Sequence, residues 1–143
     1  VNLLINEHQI ARDKVVIIGV VCPGLVKTDW NKAGDKLRDA CQAFVSKVST
    51  ALPETHIYYI AIPPVLSATK APEGMALIRR TNGLIEDLAH ADSRLRFIAL
   101  FPRFLDEKGQ PRAELFVSDG THFSPKGCEV VAALMREAAG LRD

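Results

Sequence analysis

Three continuous apolar runs alternate along the chain with stretches whose apolar residues recur every three or four positions. The first run, Lys14 to Val21, holds Val15, Val16, Ile17, Ile18, Val20 and Val21. Its lack of in–out alternation predicts a strand buried on both faces, as in a parallel sheet. Cys22-Pro23-Gly24 stops it. From Trp30 to Ala51 the spacing changes to three and four, through Ala33, Leu37, Cys41, Phe44 and Val48, with charged and polar residues between. That is an amphipathic helix, with Thr28 or Asp29 placed to cap its start and Pro53 to mark its end. His56 to Ile62 reads as a second buried strand closed by Pro63-Pro64, and Met75 to Ala91 as a second helix with Leu77, Ile78, Leu84, Ile85 and Leu88 inward. Gly83 weakens that helix by about 1 kcal/mol relative to Ala. Leu95 to Leu100 is the third strand, ended by Phe101-Pro102.

Beyond it, Asp106 to Pro111 is a polar turn, Glu114 to Val117 a short extended piece, and Ser118 to His122 a loop. Ser124 followed by Pro125 opens a last helix running to about Ala139, with Val130, Val131, Leu134 and Met135 inward. Strand, helix, strand, helix, strand, loop, helix predicts an α/β fold. A central parallel sheet would lie between helices in a three-layer sandwich. Functional residues in such folds gather at the carboxyl ends of the strands.

Composition narrows the picture. The 143 residues suit one domain, and 48% apolar with 24% charged is globular. No apolar run approaches the roughly 20 residues of a membrane span. A net charge of +1 offers no basic excess for a nucleic acid. Three scattered cysteines, Cys22, Cys41 and Cys128, form neither a disulfide framework nor a zinc pair, which favours a reducing compartment. No metal or cofactor is expected. The sequence opens on Val1 and an apolar Val-Asn-Leu-Leu-Ile stretch, so a segment upstream is expected.

The informative chemistry lies in Ser118-Asp119-Gly120-Thr121-His122-Phe123-Ser124-Pro125-Lys126-Gly127. An Asp three residues before a His, in a loop entering a capped helix, puts both side chains on one edge. The His can take a proton from a hydroxyl, and the Asp can hold the ring's tautomer. Asp119, His122, Ser124 and Gly127 together resemble the closing motif of the SGNH (GDSL-type) ester hydrolases. His56 to Pro64 resembles that family's strand and Pro-rich loop, Arg79 to Ile85 its next helix with an internal Asn, and Arg96 to Pro102 its next strand. The resemblance runs from about Lys14 to the end and implies a flavodoxin-like SGNH fold.

Other family elements are missing. No Gly-Asp-Ser-Leu-like motif occurs, so the family's nucleophile and first strand are absent. Residues Val1 to Ile10 contain no Gly to offer an oxyanion N–H. Val20-Val21-Cys22-Pro23 stands where the family has Gly-x-Asn-Asp, and Pro23 has no N–H. Losing one oxyanion donor alone costs about 10²–10³ in rate.

Cys22, at the end of the first strand, is the alternative nucleophile or oxyanion position. Ser67, after the second strand, is another hydroxyl able to face the site. His8, His56 and His90 read as surface residues, Trp30 as a core anchor, and Ser124 and Gly127 as capping and packing residues. Two functions follow. One is an SGNH-like protein without the usual esterase activity, serving as a structural or interaction subunit whose exposed sheet edge invites a protein partner. The other is a serine ester hydrolase for a small ester, whose Ser-bearing segment is absent from this sequence.

Overall fold

The computed structural model describes residues 15–19, 30–71 and 73–140. In chain order they form β1 (Val15–Gly19), α1 (Trp30–Ala51), β2 (His56–Ile60), a 3-10 turn (Leu66–Lys70), α2 (Gly74–Ala91), β3 (Leu95–Ile98), α3 (Leu100–Arg103), a second 3-10 turn (Ala113–Leu115) and α4 (Pro125–Ala138). The strands make one sheet in the order β1-β2-β3. Both pairings are parallel, with Val15 opposite His56 and Ile57 opposite Leu95. The fold is mixed α/β, with a small parallel sheet and four helices among the described residues. None of those helices is long and apolar enough to cross a membrane.

The periodicities do the work expected of them. Cys41 and Val45 from α1 and Ile85 from α2 close on Ile57 and Tyr59 of β2 and Leu95 of β3. The Tyr59 and Phe97 rings stack at 6.2 Å between centroids. A second cluster lies past the strand ends. Ala61, Ile62, Val65, Leu100, Phe101, Phe104, Leu115 and Phe116 form it, and Val130, Val131 and Leu134 of α4 pack against it.

Three elements differ from the sequence reading. β2 stops at Ile60 and β3 at Ile98, each two residues early. For β2 the cause is one side chain. Ala61 N–H still donates to the Ile98 carbonyl at 3.1 Å. Ile62 instead donates its N–H to Asn82 Oδ1 and accepts from Asn82 Nδ2, both at 2.9 Å. Asn82 is 6% exposed and takes the place a neighbouring strand would hold. Leu100 to Arg103 then turns helical, with Pro102 in a first turn that needs no N–H from it. Glu114 to Val117 is extended only in part, at Phe116. Ala113–Leu115 is a 3-10 turn, and only Phe116 bridges, to Phe123. The Leu115 carbonyl lies so close to Gly127 that a Cβ there would collide with it.

Replacing Asn82 with Ala orphans a buried donor and a buried acceptor. Each orphan costs about 1–3 kcal/mol. Urea unfolding of Asn82→Ala is expected to show a loss of about 2–4 kcal/mol; a loss within 0.5 kcal/mol, on the order of an ordinary surface substitution, would overturn the assignment.

Candidate functional site: an Asp–His pair on a tied loop

The loop between Phe116 and Phe123 is closed by their bridge and by Val117 N–H donating to the His122 carbonyl at 2.9 Å. Gly120 N–H donates back to the Val117 carbonyl at 2.9 Å. Gly120 has φ +69°, a left-handed conformation that suits glycine. Its carbonyl accepts from Leu66 N–H at 2.9 Å, and a Cβ on it would lie 2.8 Å from Leu66 Cβ. The loop is therefore tied to the chain that leaves β2, at the carboxyl end of that strand. Beneath it Phe104, Phe116 and Phe123 pack with centroids 5.1–6.1 Å apart.

Asp119 does two jobs here. Its Oδ1 accepts from the backbone N–H of Thr121 at 2.8 Å and of His122 at 2.9 Å. Its Oδ2 meets His122 Nδ1 at 2.6 Å. The ring hydrogen bond, then the two backbone donors, hold the Asp119 carboxyl down at about 2. An ionised carboxylate only accepts, so Nδ1 carries the proton and Nε2 of the neutral ring keeps its lone pair. The ring is 73% exposed. Nothing among the described residues hydrogen-bonds Nε2. The pair is thus an oriented, exposed imidazole held by a carboxylate.

Ser124 caps α4. Its Oγ accepts from Gly127 N–H at 3.2 Å and donates to the Glu114 carbonyl at 2.7 Å. Its hydroxyl is thus used structurally, as the sequence reading expects. Ser67 lies in the 3-10 turn beside Leu66, on the chain tied to the Asp119 loop, and it is half-buried. Among the described residues it makes no hydrogen bond to His122. Cys22, His8, Thr28, Asp29 and the Val20 to Pro23 stretch lie outside the described residues. Cys41 is buried in α1, which pushes its thiol up. Cys128 is exposed in the first turn of α4. His56 sits at the amino end of β2, the far end from the loop, and His90 in the last turn of α2. Trp30 begins α1. No group of three His, Cys, Asp or Glu among the described residues could hold a metal ion. Asn82 is the residue that sequence reasoning undervalued; its only signal was an amide inside an otherwise amphipathic helix.

No family model matches the sequence, and no curated protein matches it. Solved structures do resemble it. A structure assigned as a platelet activating factor from Streptococcus pneumonia aligns with TM-score 0.66 at 20% identity, over 87% of this chain and 58% of that one. A GDSL-like lipase from Bacteroides thetaiotaomicron aligns with TM-score 0.62 at 15% identity, over 87% and 60%. The OSK domain of Drosophila Oskar aligns with TM-score 0.64 at 14% identity, over 87% and 61%. The chain spans about 58–61% of the length of these neighbours. Its fold is that of the GDSL-like hydrolases.

The depressed Asp119 carboxyl has a pH consequence. A folded value below the unfolded one, about 3.9, gives a contribution present above pH 4 and lost as pH falls toward 2. Amide shifts of Thr121 and His122 followed by NMR should titrate in that window. Asp119→Asn should abolish the transition. A midpoint near 4 in the wild-type protein would show that the carboxylate is not held as described.

Proposed function

We propose that this chain is an SGNH-like module without the usual esterase activity, acting as a structural or interaction subunit. The observation that carries the reading is that the Asp119 carboxylate is engaged by its own loop, accepting from the backbone N–H groups of Thr121 and His122 as well as meeting the His122 ring. Val20-Val21-Cys22-Pro23 supports it, since that sequence offers no Asn side chain as an oxyanion donor. The pair has a use apart from catalysis. Asp119 gathers two backbone N–H groups and the ring, and so fixes the loop. The same fold serves a lipase and the OSK domain of Oskar, and a fold by itself assigns no reaction.

The finer architecture belongs to this reading. α1 and α2 lie against Ile57, Tyr59 and Leu95, while α4 reaches β3 and the second cluster. That division supports a three-layer sandwich. The edge beside β1, where the sheet of described residues ends, would then take a partner's strand.

A second reading has one observation in its favour. The 2.6 Å contact and an open Nε2 are what a general base needs toward a serine supplied from outside this sequence. In that case the serine attacks an ester carbonyl, His122 takes its proton and gives it to the alcohol that departs as the ester C–O bond breaks, and water, activated in the same way, hydrolyses the acyl-serine to the free acid.

Intact mass of the natural protein, with and without a fluorophosphonate probe, separates the two. The expected result is no covalent adduct, and p-nitrophenyl acetate hydrolysis lowered less than about threefold by His122→Ala, far short of the 10²–10⁴ typical of a general base. One stoichiometric adduct that His122→Ala abolishes would replace this proposal with the hydrolase.

A further inference from the structure

A second concavity lies on the other side of Asn82 from the Asp119 loop. It encloses about 290 Å³, and Arg79, Gly83, Glu86, Phe97, Ala99 and Phe101 are among its walls. That is at the small end for a ligand pocket and suits one or two side chains. It sits on the outer edge of β3, and the hydrogen-bond parity of that strand matters. Ile57 N–H donates to the Arg94 carbonyl at 2.8 Å and Ala61 N–H to the Ile98 carbonyl at 3.1 Å. In a parallel ladder alternate residues bond the same neighbour. Arg94, Arg96 and Ile98 therefore face β2, and the main chain of Phe97 and Ala99 faces outward. β3 is the last strand of the sheet among the described residues. Ala99 is the N-cap of α3, so its carbonyl serves that helix and its N–H is the group it offers outward. Phe97 and Ala99 are both among the walls of the cavity.

Gly83 is the second signal. It occupies a helix interior at a cost of about 1 kcal/mol relative to Ala. Packing does not demand it, because a Cβ there would meet nothing within 4 Å. Its missing side chain leaves the cavity open against the α2 backbone. The charges are the third signal. Arg79 and Glu86 are seven residues apart, two turns or about 10 Å along one face of α2. Arg79 lies over the Phe101 ring at 4.5 Å. Neither Arg79 nor Glu86 has an ion-pair partner among the described residues.

We propose that this edge binds an extended peptide segment by strand addition to β3. Its main chain pairs with Phe97 and Ala99. One apolar side chain enters the cavity over Gly83, with an acidic group toward Arg79 and a basic group toward Glu86. This gives the interaction reading a partner chemistry, and it rests on that reading, though on different residues. The fluorophosphonate result bears on His122 alone, so the two can fail separately.

The test is a phage-displayed random 12-residue peptide library panned on the full chain, with Gly83→Leu as the comparison. Leu is a better helix former than Gly and meets open space here, so that variant is expected to fold at least as well, which a thermal melt checks. Enriched peptides should bind the wild-type chain at least tenfold better than Gly83→Leu. They should shift the amides of Phe97 and Ala99 in NMR spectra, and lose preference when Arg79→Glu and Glu86→Arg are combined. No enrichment over Gly83→Leu, or enriched peptides that leave the Phe97 and Ala99 amides unmoved, would overturn the proposal.

Discussion

The buried clasp between Asn82 and the Ile62 main chain is the constraint on which the rest of this structure depends. A strand that simply continued would need a further ladder partner for Ile62. Asn82 supplies one donor and one acceptor from a helix, and β2 can end. The chain then passes through Pro63, Pro64 and Val65, all buried, and arrives at Leu66 with a free N–H. That N–H is what Gly120 accepts. The loop bearing Asp119 and His122 is thus located by a relay of main-chain hydrogen bonds that starts at one helical amide.

The same relay explains why glycine is needed where it is. At Gly120 the loop must turn left-handed while its carbonyl meets Leu66, and both demands exclude a Cβ. At Gly127 the first turn of α4 is pressed onto the Leu115 carbonyl. Ser124 fixes that contact from the other side by bonding Glu114 and the helix N-terminus together. Asp119 stands immediately before Gly120, and its three donors, all from Thr121 and His122, lie between the two glycines. An Asp–His pair in this setting is a mechanical fastening as much as a chemical device.

The strands and long helices were legible because burial imposes a period. α1 spans Trp30–Ala51 as its spacing predicts, and α4 begins where Ser124-Pro125 says it should. The end of β2 was not legible, since it depends on Asn82, twenty residues away in sequence and adjacent only in space. Glu114 and Leu115 were misread as part of an extended piece because a 3-10 turn of three residues has too few positions to show a period. The Asp119–His122 contact was legible, being local at a spacing of three. Its tie to Leu66 was not, as no pattern in either segment names the other. Cys22, the alternative nucleophile, lies outside the described residues.

The Asn82 clasp and the cavity beside Arg79 belong to one helix, α2. Asn82 faces inward to Ile62, while Arg79, Gly83 and Glu86 line the cavity beside it. A peptide strand added to β3 would press on Phe97 and Phe101 and hence on the wall that carries Asn82. Ile62 belongs to the same apolar cluster as Phe101. A close-packed interior transmits strain. Occupation of the outer edge would thus act on the clasp that positions the Asp119 loop, with no residue shared between the two sites.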